Sequence, residues 1–347
     1  MEKWQISIAE AVASPRELAE HFDIDSARLL DVTFQYPMRI TRYYLGLIKE
    51  VGDPIWRQCV PDPLELLDDK QLSDPLEEDR LSPVPGLIHR YPDRVVWLLS
   101  SFCAVNCRFC MRKRNVGHTV FPQSDDAWDR VIRYIGENRQ IRDVILSGGD
   151  PLLLTDDTLD GILYRLRSIP HVEIIRIGTR LPVTLPERIT PNLCRMLRKH
   201  HPLYVNTHFN HPLEITAEST LACNLLADVG IPMGNQTVLL RGVNDDPSVI
   251  KRLMHMLLSI RVRPYYIHQM DLVRGTRHFR TKLEKGMQIM DGLQGHTSGL
   301  ANPYYVVDLP GGKGKVPVAP GCLTRNGNGY LLRNYLNEMI EYNEEED

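Results

Sequence analysis

Six short apolar stretches, each followed by an amphipathic one, predict an α/β protein built as an open, partial (β/α)6 barrel. Candidate strands at 95–99, 143–147, 174–178, 203–208, 235–239 and 264–268 alternate with helix-like segments near 124–137, 156–168, 190–199, 216–228, 247–258 and 281–293. A crossover long enough to hold a helix joins parallel neighbours, so these strands predict one parallel sheet. Reactive residues should then gather just past the carboxyl ends of the strands, where Cys103, Gly148-Gly149-Asp150, His208 and Asp271 all fall. Six repeats rather than eight leave the barrel open.

The chain divides into a helical region with an extended arm over 1–88, the barrel over 89–298, and a C-terminal segment with a tail over 299–347. From 7 to about 48 the pattern is helical, and Ser14-Pro15-Arg16-Glu17 reads as an N-cap, a first-turn proline and an acidic first turn. Prolines and acids dominate 53–85, which predicts an extended arm wrapped on the barrel or on a neighbouring subunit. After 299 the rhythm breaks. A late strand at 304–308 leads into Leu309-Pro-Gly-Gly-Lys313-Gly-Lys315, a glycine-rich loop placed to close the barrel mouth.

The chain has 347 residues, 43% hydrophobic and 24% charged, as in an ordinary globular protein. A formal charge of −3 leaves no basic excess for neutralising phosphates, which argues against a nucleic-acid binder. No apolar run approaches membrane-spanning length, and Met1-Glu-Lys-Trp lacks the pattern of a signal peptide, so a cytoplasmic protein is expected. The acidic end, 344–347, reads as a solvated terminus. Seven cysteines, three of them clustered, fit a reducing compartment; Cys59, Cys194, Cys223 and Cys322 read as packing residues.

The cluster Cys103-Ala-Val-Asn-Cys107-Arg-Phe-Cys110 follows the first barrel strand. Three thiolates at this spacing reach three irons of one [4Fe-4S] cubane from a single loop and leave the fourth iron open. A zinc knuckle would want a fourth Cys or His nearby, and none is present. This stretch resembles the radical S-adenosylmethionine (SAM) enzymes. That resemblance implies that the open iron holds the amino and carboxylate groups of SAM, whose reductive cleavage gives a hydrogen-abstracting 5′-deoxyadenosyl radical. Gly148-Gly149-Asp150 looks like the family's motif for the SAM amino group, with Gln236 matching a further SAM contact.

The resemblance narrows to the lysine 2,3-aminomutase family and covers nearly the whole chain. It rests on His89-Arg-Tyr-Pro-Asp-Arg94, Met111-Arg112-Lys-Arg114, Ser147-Gly-Gly-Asp-Pro151, Asn206-Thr-His-Phe-Asn-His211, 235–244, His278-Phe-Arg-Thr281, Gly295-His-Thr-Ser-Gly299 and 308–315. It implies a radical-SAM barrel with an N-terminal helical arm and a C-terminal segment whose lysine carries pyridoxal 5′-phosphate (PLP). The matching lysine is Lys315, with Lys313 as competitor, and Arg94 matches an arginine near the PLP pocket. Arg112 matches the arginine that pairs with the substrate carboxylate, and Asp271 and Asp308 match two aspartates that hold the ammonium end of lysine. Two carboxylates facing a cation favour lysine, whereas glutamate would want a cation or amide there.

The reading is therefore an isomerase that moves the α-amino group of L-lysine to C3, giving β-lysine. It would be served by a flavodoxin or ferredoxin as electron donor and assembled as a homo-oligomer. Alternatives are the related enzyme making β-lysine for elongation factor P, and a 2,3-aminomutase acting on glutamate. A plain iron–sulfur electron carrier would have no use for Lys315, Asp271 or Asp308. Zinc-bearing relatives have a cysteine where this chain has Asp245-Asp246, so no zinc is expected. His268 replaces a tyrosine of the relatives, and His208 and His211 read as pocket-lining hydrogen-bonding groups.

Overall fold

Alternating burial along the strands sets the architecture. In Asp143–Gly148, Val144 and Leu146 are buried toward the outer helices, while Asp143, Ile145 and Ser147 face the interior cavity. The next strand repeats the pattern, with Ile175 and Ile177 outward and Ile174, Arg176 and Gly178 inward. A period of two thus divides each strand between a helix-covered core and a lined cavity.

The computed structural model describes residues 2–342 apart from 69, 119, 122–123 and 327–328; the acidic end, 344–347, lies outside the described residues. One nine-stranded sheet follows chain order: β1 (Leu87–Tyr91), β2 (Arg94–Ser100), β3 (Asp143–Gly148), β4 (Ile174–Gly178), β5 (Leu203–Thr207), β6 (Met233–Leu239), β7 (Arg263–Gln269), β8 (Tyr304–Asp308) and β9 (Lys315–Pro317). Strands β2 to β8 are parallel, and β1 and β9 are antiparallel edges. The six strand–helix units are as expected, and the late strand continues the sheet as a seventh parallel member.

Helices Asp125–Glu137, Asp156–Arg167, Pro191–Arg198, Ala217–Asp228, Pro247–Ser259 and Leu283–Leu293 fill the crossovers. Their starts are written locally. The Ser124, Thr155 and Thr190 hydroxyls accept from Ala127, Thr158 and Leu193 N–H at 3.3, 3.3 and 3.1 Å, satisfying donors the first turn leaves unpaired.

The N-terminal region is a series of short helices, Lys3–Ala9, Pro15–Ala19, Leu30–Gln35 and Arg42–Leu45. Ser14 Oγ accepts from Glu17 N–H at 3.3 Å while Glu17 reaches back to Ser14 N–H at 3.0 Å, the expected cap. The arm expectation needs correction. Within 53–85 a helix, Pro54–Cys59, starts on the Asp53 cap and buries Ile55 and Cys59 in the main core. Asp53 and Pro54 begin a helix rather than break one.

Beyond β9, three strands the sequence reading did not anticipate, β10 (Leu323–Asn326), β11 (Gly329–Arg333) and β12 (Met339–Tyr342), form a separate antiparallel sheet.

Candidate active site

The three cysteines, Gly148, Gly149, Asp150, Gln236, Arg94, Arg112, Asp271, Asp308 and Lys315 all line one cavity of about 960 Å³ on the inner face of the sheet and its carboxyl-end loops. That volume lies at the upper end for ligand pockets, with room for more than one small molecule. Lys313 is exposed and is not part of the lining, whereas Lys315 is.

The cysteine loop leaves β2 and is clamped from outside. Buried Arg108 donates through Nε to Glu65 Oε1 at 2.9 Å and through Nη2 to Glu65 Oε2 at 2.6 Å, and Lys113 Nζ donates to the same Oε2 at 2.6 Å. Lys113 also donates to Gly275 O at 3.1 Å, tying this loop to the one that carries Asp271. Cys103, Cys107 and Cys110 all reach the cavity. Burial, and then the neighbouring thiols, push the Cys110 thiol up to about 11 and Cys103 well above its ordinary value. Three clustered thiols, with Cys103 and Cys110 resisting ionisation in a desolvated pocket, suit a positively charged metal cluster, which would hold them as thiolates. Arg180, not singled out in the sequence, donates to Cys107 Sγ at 2.7 Å and to Glu214 Oε1 at 2.7 Å.

At the end of β3, Gly148 has φ +123°, and a Cβ there would overlap the Ser100 carbonyl oxygen; at Gly149 it would overlap Phe102 backbone. These glycines let the cysteine loop's own backbone come close, where the sequence reading had a ligand approaching. The Asp150 carboxylate accepts from Thr179 Oγ1 at 2.8 and 2.9 Å, Arg180 N–H at 2.7 Å and Leu152 N–H at 3.1 Å. Thr179 has one hydroxyl proton, so these three donors orient the carboxylate and leave part of its accepting capacity, and Asp150 lines the cavity beside the two glycines.

Arg112 is held by Glu78, through Nε to Oε2 at 3.0 Å and Nη2 to Oε1 at 2.7 Å. Glu78 is buried, lines the cavity and went unnoticed in the sequence because nothing local marks it. The fork uses one edge of the guanidinium and leaves Nη1 for another acceptor.

Opposite, the β8–β9 hairpin places Lys315 across from Asp308, after a turn in which Gly311, Gly312 and Gly314 take φ of 74°, 68° and 97°. Lys315 Nζ lies 3.3 Å from Asp308 Oδ2 and 3.4 Å from both ring nitrogens of His268. Asp308 also accepts from Arg90 Nη1 at 3.1 Å and lies 3.4 Å from His268 Nδ1. Despite burial, those neighbours hold its carboxyl well below the usual range. Burial and the Asp308 charge push Asp271 the other way, up to about 7, and burial lowers Lys315.

Arg94 lies 3.8 Å over the Tyr91 ring and donates to Asp93 at 2.7 Å; Arg90, paired with Asp308, and Arg176, paired with Asp143, line the same wall. A lysine amine facing a cavity with arginines on its wall fits PLP, an aldehyde that bears a phosphate. Gln236 reaches the cavity from β6. His208 lines it, edge-on to Phe109, whereas His211 caps a turn at Leu213 N–H and lies outside the lining.

Comparison with known proteins agrees with this geometry. Residues 97–253 match the Radical SAM superfamily, and residues 290–347 match the family described as Lysine-2,3-aminomutase. The chain is 49% identical to the L-lysine 2,3-aminomutase of Fusobacterium nucleatum, covering 99% of this chain and 83% of that protein. It is 49% identical to that of Clostridium subterminale, covering 98% and 84%. It is 46% identical to the glutamate 2,3-aminomutase of Clostridioides difficile, covering 91% and 75%.

Proposed function

The chain belongs to the lysine 2,3-aminomutase family of the radical SAM superfamily, and from this we infer that it is an isomerase moving the α-amino group of L-lysine to C3 to give β-lysine. The observation that carries the reading is one cavity lined by three cysteine thiols, the Lys315 amine and the paired acids Asp271 and Asp308. When bound, the [4Fe-4S] cluster with SAM supplies hydrogen-atom abstraction, and PLP supplies the carbonyl that carries the migrating nitrogen.

The protein's own residues orient these parts. Cys103, Cys107 and Cys110 would ligate the cluster, and Gly148, Gly149 and Asp150 with Gln236 would face SAM. Lys315 would bear PLP with Arg94 beside it. Arg112 would take the substrate carboxylate on its open edge, and Asp271 and Asp308 would hold the far ammonium. The acid pair supports lysine over glutamate, since an ammonium brought there would favour ionised Asp271 beside Asp308, whereas a second carboxylate would be repelled by Asp308 and would oppose that ionisation.

Reductive cleavage of SAM needs a one-electron donor, for which a flavodoxin or ferredoxin is suited. Exposed Leu323, Tyr335, Leu336, Met339 and Ile340 in the C-terminal part support a homo-oligomer. No helix among the described residues is long and apolar enough to cross a membrane, and a thiol-held cluster suits the reducing cytoplasm. The test is anaerobic incubation of the reconstituted protein with SAM, PLP, a reductant and either lysine or glutamate, followed by chiral amino-acid analysis. β-Lysine from lysine supports the reading, and turnover of glutamate but not lysine overturns it.

A further inference from the structure

We propose that His268 is the proton acceptor for the Lys315 amine, the group that converts this lysine from a paired ammonium into a nucleophile. The inference deepens the reading of Lys315 as the PLP-bearing residue and rests on it. An ammonium beside a carboxylate does not attack a carbonyl, so a proton must leave before Lys315 can bond to its cofactor. Two groups lie within reach of that proton: Asp308 Oδ2 at 3.3 Å, and the His268 ring, both of whose nitrogens are 3.4 Å from Nζ.

Asp308 is a poor acceptor. Arg90 donates to it at 3.1 Å, and Lys315 and His268 add two more positive or donor neighbours, so the carboxylate is held ionised. His268 is neutral and so has a ring lone pair; burial and the Lys315 charge lower its proton affinity, while the Asp308 carboxylate 3.4 Å away raises it and faces the charge the ring would take up. Asp308 then plays the orienting part, 3.4 Å from His268 Nδ1. Nucleophile, base and orienting carboxylate come from three strands, β9, β7 and β8.

In the step, one N–H bond of the Lys315 ammonium breaks and one N–H bond forms on the imidazole. Positive charge moves from Nζ to the ring, and Asp308 faces it in both states. The trio carries no net charge before or after, so the transfer adds no charge to a desolvated wall. The other groups that face His268 are the Tyr266 ring, 5.4 Å away on its own strand, and His208, which reaches it from beyond β5. Arg90 on β1 reaches it only through Asp308, and Asp271 lies beyond the end of β7.

Two variants and two readouts test this. In the chain without PLP, Lys315 is methylated with formaldehyde and cyanoborohydride at pH 7, and labelling is followed by peptide mass. His268→Phe should slow labelling about tenfold or more. Uptake of added PLP, followed by the visible absorbance of the protein-bound cofactor, should slow similarly while iron per chain after reconstitution stays unchanged. His268→Ala should be restored by added imidazole, which a purely structural role would not allow. Labelling and uptake at the native rate in His268→Phe, or no response of His268→Ala to imidazole, overturns the assignment. If native chain and Lys315→Ala take up PLP alike, the reading of Lys315 fails; the formaldehyde arm contains no PLP and still decides the role of His268.

Discussion

Asp271 and Asp308 share one cavity yet hold protons oppositely, because Asp308 has three cationic or donor neighbours and Asp271 has burial and a negative neighbour. With Asp271 near 7, a proton would compete for the carboxylate proposed to hold the substrate's ammonium. KM for lysine should therefore rise roughly tenfold between pH 8 and pH 6, and Asp271→Asn should flatten that profile at a high KM. Stability moves the other way. The folded-state value lies above the ordinary carboxylate range, so the folded chain binds the extra proton and loses stability as pH rises through that window. Asp271→Asn should raise Tm at pH 8 and leave it unchanged at pH 4, measured on the cofactor-free protein. Arg112→Lys keeps the charge but not the fork, and should cost about a hundredfold in kcat/KM. Lys315 stood out only through the family resemblance, whereas the cysteines were legible because their signal is short spacing along the chain. Glu78 and Arg90 were not, since their partners Arg112 and Asp308 lie 34 and 218 residues away and only folding joins them.

Among the elements, the end of β3 and the start of the cysteine loop are fitted to each other with no spare room. Gly149 N–H donates to Ser100 O, Asp150 N–H donates to Phe102 O at 2.8 Å, and a Cβ on Gly149 would overlap Phe102 backbone. Backbone cannot step aside as a flexible side chain can. Gly149→Ala should push Phe102 and the adjoining Cys103 outward and lower iron per chain after reconstitution severalfold, while circular dichroism retains its α/β shape. At this scale strand and helix positions were readable from periodicity and caps, as Ser124, Thr155 and Thr190 show. The segment at 53–85 was misjudged because Asp53 and Pro54 can start a helix as well as interrupt one, and only the burial of Ile55 and Cys59 decides. Strands β1 and β9 escaped notice for a related reason: each is short and earns its place by pairing with a neighbour.

Seen whole, the sheet runs from β1 to β9 in order, and its two ends meet without a backbone ladder between them. Lys315 N–H donates to Tyr91 Oη at 2.9 Å, and Arg90 reaches Asp308 at 3.1 Å, so side chains of β1 fasten β8 and β9. The barrel is open in its hydrogen bonding but stitched along this seam, and Lys315, the lysine proposed to bear PLP, sits on the stitch. Tyr91→Phe removes one hydroxyl and leaves the Lys315 N–H without that partner, a local cost of about 1–3 kcal/mol. That penalty falls on the short β9 edge, because β2 to β8 keep their parallel ladder. Amide exchange at 315–317 should accelerate and PLP retention should fall about tenfold, while the cysteine loop, held by Arg108 and Lys113 on Glu65, keeps its full iron. Equal losses of iron and PLP in Tyr91→Phe would instead mean that the seam supports the whole cavity rather than its lysine end.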